Sequence, residues 1–223
     1  MKRLFAFTLA EVLITLGIIG IVAAMTLPSL MQKQQKLETT VRLKKFYSGM
    51  NQAILAAQSI HGDSKYWAKS EYILDENGNY DYETYNKEAV DIFNLYLLPH
   101  LKVLKLTDGQ SPGEGPDGKP VAGKFPQVYF ADGSSMQLKM GSCFDIYFDS
   151  NGDKKPNAYG KDKFIFFFCY KNNKSMISSE IGGSSNSYAT RDEALDLCKN
   201  SSTRCAVLLQ KFDNWEFKKD YPW

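Results

Sequence analysis

Three patterns of apolar and polar positions follow one another along the chain. From Phe7 to Leu30 almost every residue is apolar, and the exceptions are hydroxyl side chains, Pro28 and one carboxylate, Glu11. At about 1.5 Å per residue, a helix of this length crosses a hydrocarbon core of roughly 30 Å. From residue 32 to 58 the pattern becomes amphipathic: Leu43, Phe46, Met50, Ile54 and Ala57 recur at spacings of three and four among Lys, Gln, Asn and Thr, so one stripe of a continuing helix must pack on something. His61-Gly62-Asp63 is its stop signal, and the two stretches together predict one helix of roughly fifty residues. Pro28 is expected to bend or locally melt that helix, or else to end the span.

Further on, Asn77-Gly78 predicts a turn, and Val90, Phe93, Tyr96 and Leu97 predict a second helix from about Lys87 to Leu98, before Pro99. Residues 108 to 124 are rich in Gly and Pro and read as a loop. The period then changes to two. VYFADGSSMQLKM is a pair of strands joined at Asp132-Gly133, CFDIYFD and KFIFFFCY are two more, CAVLLQKF is a fifth, and Asp213-Asn214 turns the chain toward its end. Thr190 and Glu193 form a capping box that opens a further helix before Cys198. Sequential hairpins imply an antiparallel sheet, so the expected fold is α+β, with the long amino-terminal helix packed on that sheet.

The first segment carries more than length. Lys2 and Arg3 precede the span, which places the amino terminus in the cytoplasm and sends the rest of the chain across the membrane, although Lys33, Lys36, Arg42, Lys44 and Lys45 oppose that asymmetry. A cleavable secretory signal has a shorter apolar core and no carboxylate at its start. Placing an acid inside a span costs about 2.5 to 3.5 kcal/mol, which marks Glu11 as a contact point. No basic residue lies between Arg3 and Lys33, so its partner should come from another molecule or from a chain terminus. A cut after Ala6 would create an amine on Phe7 at the right depth to pair with Glu11 of a neighbouring copy.

The string A-F-T-L-A-E, followed by a long apolar run and Pro28, resembles the amino terminus of type IV pilins and of type II secretion pseudopilins over residues 1 to 31. The resemblance implies a leader of residues 1–6, cleavage by a prepilin peptidase between Ala6 and Phe7, methylation of the Phe7 amine, and a role for Glu11 in assembly. Ala6 stands where the family usually has glycine. The implied organisation is a transmembrane and assembly segment over 7–31 and an extracytoplasmic pilin-like domain over 32–223. The implied partners are other pilin or pseudopilin subunits, the peptidase, an inner-membrane assembly platform, and membrane lipid before assembly. The implied location is a single-pass membrane protein that becomes part of a cell-surface or periplasmic filament, a fimbrium. A stationary membrane anchor carrying an extracytoplasmic binding or enzymatic domain is the alternative, and Glu11 separates the two, since a plain anchor gains nothing from a buried acid.

Composition narrows the functions of the domain. Its 223 residues, 43% of them hydrophobic, suffice for one sizeable core outside the membrane. Removing Lys2 and Arg3 from the 27 basic residues leaves 25 against 25 acidic ones, so the total charge does not indicate nucleic acid. His61 and His100 are the only histidines; both read as element boundaries, and no nucleophile elbow, P-loop or HExxH is present, so an enzyme is not expected. Gly113, Gly115 and Gly118 match G-x-G-x-x-G, but no apolar strand precedes them and prolines oppose a helix there.

Two features remain. In DSNGDKKPNAYGKD, between two strands, Asp149, Asn151, Asp153 and Asp162 offer hard oxygen atoms that suit Ca²⁺; a long hairpin loop of good turn formers is the competing reading, and the spacing is not that of an EF-hand. The four cysteines allow three pairings, of which Cys198 with Cys205 and Cys143 with Cys169 are favoured. A zinc site is the alternative, without CxxC spacing to support it.

Overall fold

A computed structural model describes residues 8–69, 74–115, 118–140, 143–169 and 190–223. Its longest element is α1 (Leu9–His61). The chain divides into two compact units, Met1–Glu38 and Thr39–Trp223. In the first, the apolar side chains from Leu9 to Met31 are exposed along the helix, which is long and apolar enough to cross a membrane. The helical backbone continues through Pro28, so the local melting expected there does not occur.

The second unit is α+β. Its helical portion of α1 buries Thr39, Leu43, Phe46, Met50, Ala53, Ile54 and Ala57, the stripe that the three-and-four spacing requires. Phe46 stacks on Phe148 with ring centres 4.0 Å apart. Gly62 ends the helix at φ 78°, the left-handed conformation usual just past a helix terminus. Helix α2 (Tyr82–Tyr96) begins five residues earlier than the apolar pattern predicts. Asp81 explains this: its carboxylate accepts from the backbone N–H of Glu83 and of Thr84 and so caps a polar first turn.

Five strands form one antiparallel sheet in sequential order: β1 (Val103–Gln110), β2 (Phe125–Phe130), β3 (Ser135–Met140), β4 (Phe144–Asp149) and β5 (Lys163–Phe168). The Asp132-Gly133 turn joins β2 to β3, with Gly133 N–H donating to the Phe130 carbonyl at 3.0 Å. Strand β1 is an addition to the sequence reading. It reaches into the glycine-rich stretch and is bulged against β2, and Gly109 makes that approach possible, because a Cβ there would stand 1.4 Å from the Phe125 carbonyl oxygen.

One face of β4 and β5 supplies Phe144, Ile146, Phe148, Phe164, Phe166 and Phe168 to the main core; the other holds Tyr147, Ile165 and Phe167 with Cys143 and Cys169 in a smaller apolar cluster.

CAVLLQKF is not a fifth strand. It forms α4 (Cys205–Lys211), which follows α3 (Arg191–Asn200) after one 3-10 turn, Ser202–Arg204. Residues 205 to 209 are all buried, and an apolar run without alternation suits a fully buried helix as well as a strand. The capping box at Thr190 and Glu193 is present. Disulfides join Cys143 to Cys169 and Cys198 to Cys205.

Candidate functional site

Two places combine the chemistry singled out above, the start of α1 and the loop between β4 and β5. Ala6 and Phe7 lie outside the described residues. Glu11 occupies the third helical position. Its Oε2 accepts from Thr8 N and from Thr8 Oγ1, both at 2.8 Å, while Glu11 N donates back to Thr8 Oγ1 at 3.3 Å. This is a capping box, reciprocal between the residue before the helix and the third within it. The T-x-x-E spacing that signals it was legible in T-L-A-E, beneath the more conspicuous question of an acid in an apolar run. The chain thus gives Glu11 a local neutral partner, and from Val12 to Met31 no further acid follows.

The β4–β5 loop is braced from three sides within the second unit. Arg42 of α1 donates from Nη1 to Ser150 O at 2.6 Å. Gly152, at φ 68°, lies against the β2–β3 turn, where a Cβ would come within 2.7 Å of the Gly133 carbonyl oxygen, so the position requires glycine. From the carboxyl-terminal segment, Tyr221 donates its hydroxyl to Gly160 O at 2.5 Å.

Inside the loop the predicted ligands separate. Asp162 is consumed by the loop itself: Oδ2 accepts from Asn157 N at 2.8 Å and Asn151 Nδ2 at 3.0 Å, and Oδ1 accepts from Ala158 N at 2.6 Å. Asp153 turns to β2, where the Tyr129 hydroxyl stands 3.1 Å from both of its oxygens. Among the described residues no three carboxylates, histidines or cysteines form a metal-holding group. The expected set of Asp149, Asn151, Asp153 and Asp162 is therefore not assembled as such, because two of its four members are engaged elsewhere.

Asp149 differs. It is 8% exposed, its Oδ1 accepts from Asn151 N at 3.0 Å, and its Oδ2 faces the side-chain amide of Asn157. One terminal atom of that amide lies 3.0 Å from Asp149 Oδ2, 3.0 Å from Lys154 O and 3.1 Å from Gly152 O. Burial pushes the Asp149 carboxyl up to about 7; the Asn151 N–H opposes this, and the negative charge of Asp162 adds to it. Lys163, whose own pKa burial lowers, donates its Nζ to Pro112 O at 2.9 Å. The glycine-rich stretch is thus tied to the start of β5, and Gly115 N donating to Lys119 O at 2.8 Å closes it as a turn. Sequence reasoning found the loop and Asp149 but missed Asn157 and the two carbonyls, because a backbone oxygen has no letter of its own.

With this geometry in place, comparison with known families gives one match. A family described as "Family of unknown function (DUF6613)" covers residues 29–223. The chain belongs to DUF6613. No curated protein and no solved structure matches it. The match spans the amphipathic part of α1, the sheet, both disulfides and the β4–β5 loop, and it begins one residue after Pro28. The DUF6613 domain and the apolar segment before it thus meet inside a single helix.

Proposed function

We propose that this DUF6613 protein is the precursor of a filament subunit, of the type IV pilus or type II secretion pseudopilus kind, whose activity is assembly and not catalysis. The observation that carries the reading is the start of α1: an exposed apolar stretch whose one acid, Glu11, sits at the third helical position and ends the A-F-T-L-A-E string. Exposed side chains from Leu9 to Met31 require a cover, supplied by lipid before assembly and by the same segments of neighbouring subunits after it. A prepilin peptidase removes residues 1–6, the Phe7 amine becomes the new terminus, and Glu11 of one subunit selects the register of the next by pairing with that amine. The long helix packed on an antiparallel sheet is the pilin-like arrangement expected of such a subunit. Two disulfides suit a domain on the oxidising side of the membrane.

A second reading has an observation of its own. The Thr8–Glu11 capping box gives the carboxylate a task within its own helix, as a stationary anchor bearing an extracytoplasmic binding domain would need.

Intact mass and amino-terminal sequencing of the full chain, expressed with and without an active prepilin peptidase, separate these. A product beginning at N-methylated Phe7 only when the peptidase is present is the expected result. A chain that keeps Met1 and Lys2 beside an active peptidase overturns the filament reading.

A further inference from the structure

Beside α1 and the β2–β3 turn, the second unit has an open cavity of about 360 Å³. Its apolar floor is made by Phe46 and Met50 of α1 with Leu101 and Phe130. At the rim, Lys45 is paired with Asp132 at 2.7 Å, whereas Lys102 is exposed and makes no ion pair among the described residues. Gly49 forms part of the wall. It lies in the interior of α1, where glycine is less favourable than any residue but proline, yet a Cβ there would meet nothing within 4 Å. No contact within the chain requires this glycine; what it preserves is the space in front of it.

A segment of complementary chemistry lies elsewhere in the same unit. From residue 70 to 86 the sequence has the acids Glu71, Asp75, Glu76, Asp81 and Glu83 and no base. Its described part holds a tight turn: Gly78 N donates to Asp75 O at 3.0 Å, Asp75 N donates to Asn79 O at 2.7 Å, and Leu74 pairs with Tyr80 across an antiparallel bridge. Leu74 and Tyr80 are 55% and 54% exposed, and Glu76 beside them is exposed without an ion pair among the described residues. The turn does not reach the cavity of its own chain. It leads into the first turn of α2, whereas Leu101 and Lys102 follow the last, and the 15 residues of α2 span about 22 Å.

We propose that the 74–80 turn of one copy docks in the Gly49 cavity of a second copy, with Leu74 and Tyr80 covering the apolar floor and Glu76 pairing with Lys102. The two surfaces match in charge and in apolar character, and they are different surfaces of one chain. Such a contact is heterologous: each copy offers a turn to one neighbour and a cavity to another, so the contact propagates into an open array unless its rotation closes a ring. Exposed charges are screened and contribute little one by one; the apolar pair therefore supplies the attraction, and Glu76 with Lys102 fixes the register. The contact rests on the filament reading for its setting and adds to it an interface outside the apolar segment.

The test uses the full chain in concentrated detergent micelles, carrying Asn77→Cys on the turn and Gln52→Cys on the rim, both at exposed positions, and treated with a short thiol-specific cross-linker, with which the two native disulfides do not react. The expected result is a ladder of covalent oligomers from the double variant, dimers alone from a mixture of the two single variants, and no product from either single variant by itself. Absence of the ladder overturns the docking, and so does an equal ladder from the control pair Asn77→Cys and Lys199→Cys. Dimers from Asn77→Cys alone would make the contact isologous and overturn it as well. Lys102→Glu should lower the ladder about fivefold and Glu76→Lys in the same chain should restore it. Gly49→Leu fills the cavity with a better helix former; it should keep or raise Tm and abolish the ladder, and an undiminished ladder overturns the cavity as the seat. In whole membranes, cross-linking of Gln52→Cys to a different protein and not to Asn77→Cys assigns the cavity to another occupant and overturns the docking. Amino-terminal sequencing of the same preparations keeps the two readings apart: a chain beginning at Phe7 without a ladder removes the docking alone, whereas a ladder from a chain that keeps Met1 beside an active peptidase supports the docking and removes the filament reading.

Discussion

Asp145 shows how the fold changes the chemistry of a single side chain. It lies on the second face of β4, where its side chain is 21% exposed and Lys139 of β3 stands 3.5 Å away. Burial pushes its carboxyl up to about 6, more than the attraction of Lys139 lowers it. The unfolded chain has the ordinary value near 3.8, so between about pH 4 and pH 6 the folded protein holds a proton that the unfolded one has lost. Stability must therefore fall as pH rises through that window, and above it the ionised Asp145 is a net cost of at most about 3 kcal/mol. Asp145→Asn is expected to stabilise the protein by about 1 to 2 kcal/mol at pH 7.5 and to be neutral at pH 4. Urea unfolding of both proteins at the two pH values measures this; a variant that is no more stable at pH 7.5 refutes it. Asp213 has a different set of partners. Its side chain is fully buried, but Arg191 meets it with two hydrogen bonds, at 2.6 and 3.0 Å, while bonding Asp220 as well. Nothing in the sequence pattern separates the two carboxylates; their partners are set by the fold.

Among the elements, those whose signal is local were legible and those set by long-range competition were not. The stripe from Leu43 to Ala57, the Asp132-Gly133 hairpin and the Thr190 cap each declare themselves within a few residues. The start of α2 was obscured because its first turn is polar and stands on Asp81 alone. Strand β1 was obscured because it ends in a glycine bulge that only the Phe125 backbone explains. CAVLLQKF was misread because its apolar run lacks a period, and Cys205 ties it to α3. The two disulfides differ in what they close. Cys198–Cys205 spans a separation of 7 residues between neighbouring helices, and Cys143–Cys169 spans 26 residues around the β4–β5 loop. Chain entropy assigns about 2.4 kcal/mol to the shorter crosslink and about 3.5 kcal/mol to the longer. Replacing both cysteines of a pair by serine should therefore cost more stability for Cys143 and Cys169 than for Cys198 and Cys205. Denaturant midpoints of the two double variants decide the order; the reverse order would show that packing at α3–α4 outweighs loop closure.

At the scale of the whole molecule, the question is what a carboxylate at the head of an apolar helix is for. The DUF6613 match begins at Ser29, so the domain and the apolar segment are separable in sequence while sharing α1. Within one chain, Glu11 completes a capping box; in a filament it would also meet the Phe7 amine of a neighbour. One substitution isolates these roles. Glutamine serves at the third position of a capping box as glutamate does, so Glu11→Gln keeps the helix start and removes only the charge. If Glu11 acts as a cap, the variant behaves as the parent throughout. If it selects the next subunit, the variant inserts in the membrane and loses its leader normally but no longer joins filaments. A charge-assisted hydrogen bond contributes about 1.5 to 3 kcal/mol, so incorporation should fall about tenfold or more at each added subunit. Sheared-filament yield against membrane-retained protein, compared for Glu11→Gln and Thr8→Ala, reads this directly. Loss in Glu11→Gln with near-normal incorporation of Thr8→Ala is the expected pattern, because Thr8→Ala weakens the cap by about 1 kcal/mol and leaves the charge in place. Parent-like incorporation of Glu11→Gln beside a mild loss in Thr8→Ala would assign Glu11 to the cap of its own helix.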